Sequence, residues 1–426
     1  AYRAIGHLFS HKLGNLKPYM VAKALDLRVA NSHKMALAQM ALSAVRSFCA
    51  SADMDIDDQH IDMRELSRIG LMPEDVRQAA LQLWTRMCDV NDALVQEHDG
   101  YLKAWQLVGP RLDKQFDCIA VDESQDLNPV TLAILEQQDT QQIFVGDAHQ
   151  SIYQFRGSLD ALDRVKADQE YYLSASWRFG PNIAHTANRI LSTFKGERVP
   201  LKGLGAEDFV GPCSASHKAY IHRTNAGIFN SAVDLLAQNP NAKLYFAGGI
   251  QGYNLFQILD TFNLKHGERD RIKDPYIGSF NDFDELQAFA ENFDDKELKS
   301  RIRVIERHHS KIPGLVFAIQ RQATENIEES DAVLGTVHKV KGLEFDHVVL
   351  GDDFPAMVEQ GKPLTRDNID RYRLDKDPLE DEEANLIYVA ATRAIRSLDA
   401  SNSSLGAFLA TKPRDVADRL GASARM

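Results

Sequence analysis

Only four cysteines occur in 426 residues, Cys49, Cys88, Cys118 and Cys213, and no two stand in a CxxC spacing. That excludes a cysteine-based zinc site and a disulfide framework, and it fits free thiols in a reducing cytosol. Long apolar runs are lacking as well. Nowhere do ~18 apolar residues follow one another, so no membrane-spanning helix is expected. The first residues, "AYRAIGHLFSHKLG", hold neither the apolar centre nor the small-residue cleavage site of a secretory leader. Positive charge is in deficit: 49 Lys and Arg face 61 Asp and Glu, a formal net charge of −12. A protein that coats DNA by overall charge is thereby excluded, and any nucleic-acid site has to be a local groove. No internal repeat or low-complexity tract stands out. What remains is a chain of 44% hydrophobic and 26% charged residues, a soluble globular composition. Its length suffices for two or more domains with sizeable cores.

Apolar periodicity divides the chain. Residues 1–115 read as mostly helical; "HKMALAQMALSAVRSFCASA" and "PEDVRQAALQLWTRMCDVNDALVQE" space their apolar residues by three and four. Then "DKQFDCIAV" and "QQIFVGD" read as buried strands joined by a helix, "NPVTLAILEQQ", with Asn128 as N-cap and Pro129 in its first turn. Strand, helix and strand with short links predict a parallel α/β sheet. A second set of strands follows in "QEYYLSASWRF", "KAYIHRTN", "NAKLYFAGG", "DAVLGTVH" and "HVVLGDD", alternating with helices such as "PNIAHTANRILSTF" and "GIFNSAVDLLAQ". Between Gly249 and Asp331 mixed-charge helices predict an inserted helical subdomain. The stretch from Phe354 to Ala384 reads as a polar connection.

Chemistry-bearing residues gather where strands end, which is where open α/β sheets bind ligands. In "IAVDESQD" a strand delivers Asp122 and Glu123. The first carboxylate suits Mg²⁺, and the second suits the deprotonation of an attacking water in nucleoside triphosphate hydrolysis. In "GDAHQSIYQFRGS", Gln150 stands within reach of a γ-phosphate or its attacking water, while Tyr153 and Phe155 offer faces for stacking on a nucleic-acid base. Arg178, in "SASWRFG", and Arg393, in "YVAATRA" at an expected helix start, suit the stabilisation of charge on a transferring phosphoryl group. Each has a plainer reading when taken singly: surface acids, core aromatics and surface ion pairs.

Taken together they are specific. "AVDESQDLNP", "FVGDAHQSIYQFRGS", "LSASWRFGPNIAHTANRIL", "HRTNA", "GTVHKVKGLEFDHVVL" and "EEANLIYVAATRA" resemble, in order and spacing, motifs of the UvrD/Rep helicases of superfamily 1. The resemblance runs from about Phe116 to Leu398, and "SWRFG", "AGGI", "DKELKSRI" and "HKVKGLEFD" look like the F-box DNA helicase branch; no F-box is recognisable. It implies an α/β fold of two RecA-like domains. The first would comprise 1–11 and 111–170, with a helical insertion at 12–110. The second would comprise 171–249 and 331–426, with a smaller insertion at 250–330. It also implies Mg²⁺ and ATP as cofactors, single-stranded or partly duplex DNA as partner, repair or recombination proteins as further partners, and 3′→5′ movement on DNA. The expected location is the cytoplasm, on the nucleoid in a bacterium, or the nucleus in a eukaryote. By resemblance Asp122 holds the metal, Glu123 is the base, Gln150 senses the γ-phosphate, and Arg178 and Arg393 are arginine fingers. Trp177 stacks on adenine, and Glu344 binds the ribose beside Gly342. Tyr153 and Phe155 stack on DNA bases, while Thr224, Asn225, Thr336 and His338 touch the DNA backbone or couple it to the nucleotide.

One departure from the family is large. Its P-loop, GxxxxGK[ST], does not occur in the 426 residues: the one Gly-Lys pair is Gly361-Lys362, with Pro363 after it and Ala356 where the first glycine belongs. The chain opens on Ala1, and "AYRAIG" resembles the tail of a family motif normally introduced by Thr-x-His-Ser-Leu. A segment carrying the P-loop is therefore expected outside these residues, and the 426 residues alone are expected to hydrolyse little ATP. The alternative is a truncated, ATPase-inactive relative that binds DNA or a partner.

Overall fold

The computed structural model describes residues 1–27, 29–153, 164–293 and 295–411. They form two compact units, one of Ala1–Ala167 with Asp260–Lys299, the other of Asp168–Leu259 with Ser300–Met426.

Unit 1 starts with helices: α1 (Pro18–Ala24), α2 (Asn31–Ala50), α3 (Met63–Ile69), α4 (Pro73–Cys88) and α5 (His98–Leu107). Leu42, Val45 and Phe48 of α2 pack in one core with Val76, Ala80 and Leu83 of α4, the faces that three- and four-residue spacing aligns. Pro73 opens α4, and Glu74 and Asp75 in its first turn complement the positive end of the helix dipole. Two buried lysines close helix ends. Lys12 Nζ donates to the carbonyls of Arg86 (3.3 Å), Asp89 (2.5 Å) and Asp92 (3.2 Å) at the end of α4. Lys103 Nζ donates to the carbonyls of Ser51 (3.0 Å) and Asp53 just past α2, and lies 4.2 Å from the centre of the Phe48 ring. Burial pushes the Lys103 ammonium pKa down to about 8, against smaller opposing effects of Cys49 and Asp53.

The expected strand–helix–strand follows as β1 (Cys118–Val121), α6 (Pro129–Glu136) and β2 (Gln141–Phe144), with the strands parallel and Ala120 opposite Ile143. Asn128 Oδ1 accepts the Thr131 N–H (2.9 Å), confirming the cap. The expectation that these strands are buried is corrected. Cys118 is exposed, and Ile143 and Val145 stay 47% and 46% accessible. Parallel strands become buried when helices cover both faces. Among the described residues this sheet has two strands and one crossover helix.

Unit 2 begins with β3 (Ala175–Ser176), α7 (Pro181–Ile190) and β4 (Lys202–Gly203), β3 and β4 being paired in parallel. The long strand expected in "QEYYLSASWRF" thus contracts to two residues, with Tyr171, Tyr172 and Leu173 exposed. The main sheet is built from β5 (Phe209–Val210), β6 (Lys218–His222), β7 (Leu244–Phe246), β8 (Ala323–Thr324), β9 (Ala332–Thr336), β10 (Phe345–Leu350) and β13 (Ala394–Asp399). Their order is β5-β13-β10-β6-β9-β7-β8, with parallel pairing throughout. β9 is buried along its whole length, as the unbroken apolar run Ala332-Val333-Leu334 requires of a central parallel strand.

Helix α8 (Asn225–Gln238) follows β6, and α14 (Val337–Val340) follows β9. The helical stretch expected at 250–330 contains α9 (Leu255–Lys265), α10 (Pro275–Gly278), α11 (Phe283–Asn292), α12 (Lys296–His308) and α13 (Ile312–Gln322); its portion Asp260–Lys299 clusters with unit 1. The expected polar connection holds an antiparallel hairpin, β11 (Val358–Glu359) and β12 (Lys362–Pro363), followed by α15 (Arg366–Tyr372). Gln360 (φ 49°) and Gly361 (φ 71°) turn the hairpin with both central residues left-handed, so the Gly361-Lys362 pair belongs to a β-turn. Helix α16 (Asp381–Ala391) precedes β13, and α17 (Ser404–Leu409) follows it. The expectation of a helix start at Arg393 is corrected: Arg393 lies in the turn between α16 and β13. Ala384 to Ala391 are buried on every side, so the apolar run has no polar face to mark where the helix stops.

Candidate functional site

Two clusters at strand ends in unit 2 and one in unit 1 hold most of the chemistry-bearing residues. In unit 1 the ladder continues past the strands: the Val145 N–H donates to Val121 O (2.8 Å) and the Ser124 N–H to Val145 O (2.9 Å). The chain then swings out at Glu123, whose backbone is left-handed (φ 52°), leaving Asp122 and Glu123 exposed at the sheet's carboxyl edge. Such a conformation costs an L-residue roughly 1–2 kcal/mol, and the neighbourhood holds it. The Glu123 N–H donates to Asp122 Oδ1 (2.9 Å). Gln125, fully buried, donates Nε2–H to Glu123 Oε2 (2.5 Å) and accepts the Asp147 N–H on Oε1 (3.1 Å). Asp147 in turn accepts from Gln150 Nε2 (2.9 Å) and the His149 N–H (3.0 Å). Asp122, Glu123 and Gln150 are thus joined in one hydrogen-bonded edge. A Cβ on Gly146 would come within 2.4 Å of Gln125 Oε1, so the turn after β2 needs a glycine for the amide to fit.

Gln125 is the residue that motif reading passed over. It stands as one polar letter in "DESQD", and its burial between two strand ends is a tertiary fact. Tyr153, three residues past Gln150, is half-buried; Phe155 lies outside the described residues.

In unit 2 the turn after α16 gathers a second set. Arg178 Nε donates to Glu344 Oε2 (2.8 Å), and its Nη1 donates to Thr392 O (3.2 Å). Arg393 is 1% exposed, and its guanidinium donates to Val389 O (3.0 Å), Leu343 O (3.3 Å) and Thr392 Oγ1 (3.3 Å). Arg178 is thus held by the Glu344 carboxylate and one carbonyl, and Arg393 by two carbonyls and the Thr392 hydroxyl, at the turns Gly342–Glu344 and Thr392–Arg393 that lead into β10 and β13. Gly342, left-handed at φ 81°, makes the first turn, and the Phe345 N–H to Arg393 O bond (2.9 Å) ties it to the second. Trp177, next to Arg178, is 78% exposed, an apolar ring free of the core.

The third set sits at the carboxyl ends of β6, β9 and β10. His222 pairs with Thr336 in register. Thr224 caps α8: its Oγ1 accepts the Gly227 N–H (3.0 Å) and donates to Asp353 Oδ2 (2.7 Å). Asn225 opens α8, and His338 lies in α14. Burial by itself would raise the Asp353 carboxyl, but His222 and the donors from Thr224 and Arg223 hold it below the ordinary carboxylate value. Arg223 makes a forked pair with Glu383 at the start of α16, with Nε and Nη2 at 2.7–3.0 Å.

Two family profiles match the chain. The UvrD/REP helicase N-terminal domain profile matches residues 21–167, and the UvrD-like helicase C-terminal domain profile matches residues 252–404. The chain belongs to the UvrD-like DNA helicases. It is 32% identical over 431 aligned residues to "F-box DNA helicase 1" of Gallus gallus, covering 95% of this chain and 42% of that protein. It is 28% identical to "F-box DNA helicase protein 1" of Schizosaccharomyces pombe, over 82% of this chain and 41% of that one. With "ATP-dependent DNA helicase UvrD2" of Mycobacterium tuberculosis the identity is 24%, over 67% of this chain and 47% of the relative. The chain spans about two fifths of the length of the F-box relatives it matches. In this UvrD-like chain the two parallel-sheet units fit the RecA-like helicase architecture that the sequence motifs implied. No helix among the described residues is long and apolar enough to cross a membrane.

Proposed function

We propose that this chain is the motor core of an ATP-dependent 3′→5′ DNA helicase or single-stranded DNA translocase. The observation that carries the reading is the cluster in unit 2, where Arg178 is held by the Glu344 carboxylate and the Thr392 carbonyl, Arg393 by the Val389 and Leu343 carbonyls, and the ring of Trp177 is exposed. A group that must meet developing phosphate charge benefits from being oriented in advance.

The residues present fit Mg²⁺ and ATP. Asp122 and Glu123 supply exposed carboxylate oxygen, the donor type Mg²⁺ takes, and Trp177 offers a flat apolar face to a purine. Mg²⁺ is commonly held by one or two carboxylates together with phosphate oxygens and water. Bound Mg²⁺ and ATP would supply a polarised γ-phosphoryl group and the free energy of its transfer to water. Asp122 would hold the metal, Glu123 Oε would take the proton of the attacking water, and Gln150 would orient that water. Arg178 and Arg393 would offset negative charge developing on the transferring phosphoryl group, worth roughly 10³–10⁵ in rate for a finger of this kind. Glu344, freed from Arg178, would accept from the ribose hydroxyls, with Gly342 keeping the turn open. Tyr153 and Phe155 would stack on DNA bases, and Asn225, Thr336 and His338, with the Thr224 turn, would follow the DNA backbone. Repair or recombination proteins are the partner class proposed, and the location proposed is the cytoplasm, on the nucleoid in a bacterium, or the nucleus in a eukaryote.

A second reading is a DNA- or partner-binding chain that hydrolyses no ATP; the one Gly-Lys pair in the sequence sits in a hairpin turn, where it cannot serve as a phosphate loop. Strand-displacement assays separate the two, using protein in which these residues are joined to a P-loop segment. The helicase reading expects ATP-dependent unwinding from a 3′ tail and little from a 5′ tail. ATP-independent DNA binding with no displacement supports the second reading, and unwinding from the 5′ tail alone refutes the direction.

A further inference from the structure

We propose that Asp353 is the positioning residue that sets the DNA-contacting turn Arg223-Thr224-Asn225, an inference that rests on the DNA reading above. Asp353 follows β10 by three residues, and its neighbour strand β6 ends one residue before Arg223. The two strand ends are clamped by the Gly351 N–H to Ile221 O bond (2.9 Å). Across them the Asp353 carboxylate accepts four bonds. Oδ1 takes the Arg223 N–H (3.0 Å) and lies 3.1 Å from His222 Nδ1; Oδ2 takes the Thr224 N–H (2.8 Å) and the Thr224 hydroxyl (2.7 Å). Three successive residues are thus gripped by one side chain.

A hydroxyl has a single proton. The Thr224 hydroxyl gives its proton to Asp353 and receives the Gly227 N–H, so it serves the cap of α8 and is not available to donate to a phosphate. On the DNA reading the polar side chain left to this turn is that of Asn225, the first residue of α8, which directly follows the cap. A second tie fixes the helix: His222 Nε2 lies 2.7 Å from Ser231 Oγ, two turns along α8. The packing is shaped around this carboxylate. A Cβ on Gly227 would meet Asp353 Oδ2 at 2.3 Å, and one on Gly351 would meet His222 Nδ1 at 2.1 Å. The same turn is linked to the arginine end of the unit through the Arg223–Glu383 pair, since α16 runs from Glu383 to the turn of Arg393.

Electrostatics and positioning predict opposite signs. Removing a carboxylate from a DNA-binding surface should strengthen binding to the polyanion. Removing the carboxylate that orients Asn225 should weaken it. The test is fluorescence anisotropy of a labelled oligothymidine with the 426-residue chain, wild type, Asp353→Asn, Asp352→Asn and Gly227→Ala, well below the melting transition. Asp352 is the exposed neighbour and carries the same charge. The expected result is about tenfold or more weaker binding for Asp353→Asn and Gly227→Ala, from losing bonds to a charged acceptor. Asp352→Asn should bind as well as wild type or better. Amide exchange should accelerate at Arg223 and Thr224 in Asp353→Asn and spare β7. Should Asp353→Asn fail to fold, Gly227→Ala decides alone. Wild-type binding with Asp353→Asn or Gly227→Ala equal or tighter overturns this inference and leaves the DNA reading standing. No binding by the wild-type chain overturns both.

Discussion

Replacing Gln125 with leucine removes a polar bridge at nearly constant volume. The side chain is fully buried and makes two bonds, one to the Glu123 carboxylate (2.5 Å) and one from the Asp147 N–H (3.1 Å). A hydrogen bond to a charged group contributes roughly 1.5–3 kcal/mol, and a buried N–H left without its acceptor costs roughly 1–3 kcal/mol. Leucine recovers part of this, because an amide no longer has to be desolvated. The net loss should be about 2–4 kcal/mol. It should appear in unit 1, which holds Trp84 and Trp105, and it is read by urea unfolding followed by tryptophan fluorescence in a Trp177→Phe background. Gly146→Ala should shift stability in the same direction, since its methyl would crowd Gln125 Oε1. In a complete, ATP-hydrolysing protein Gln125→Leu should lower kcat more than it raises KM for ATP, because the base loses its orientation while the nucleotide contacts remain. A change in unfolding free energy below about 0.5 kcal/mol would refute the bridge as a stabilising element.

Three further outcomes are expected. Glu123→Gln in the complete protein should abolish turnover yet keep Mg²⁺ and ATP binding, measured by nucleotide fluorescence, because an amide cannot take the proton; turnover near the wild-type rate would remove Glu123 from the role. Lys103 has a folded-state pKa of about 8, below its ordinary value, so between that value and about 10.5 the unfolded chain binds more protons and stability should rise with pH. The rise should reach on the order of 3 kcal/mol relative to Lys103→Met, whose difference curve should otherwise be flat; a falling difference would show that the ammonium is favoured in the fold. Replacing Tyr153 and Phe155 by alanine should weaken single-stranded DNA binding by about 1–3 kcal/mol for each lost stack with a small change in melting temperature; a large drop in melting temperature with unchanged affinity would make them core residues.

The sequence by itself determined the strand-end motifs and their order, because local chemistry writes them: an apolar run followed by Asp122-Glu123, a glycine before Gln150, arginines after Trp177 and Thr392. It determined the parallel α/β class too, through alternating periods of apolar residues. Tertiary structure decided the rest. Gln125 and Asp353 are ordinary polar letters in the chain, and they become bridges only when strands far apart in sequence end side by side: Asp353 meets Thr224 across 129 positions. The place of Arg393 was hidden because α16, buried on every side, lacks the polar face by which a helix announces its end. The exposure of Ile143 and Val145 was equally out of reach, since apolar composition says that a strand can be buried, while the number of strands and helices packed around it decides whether it is.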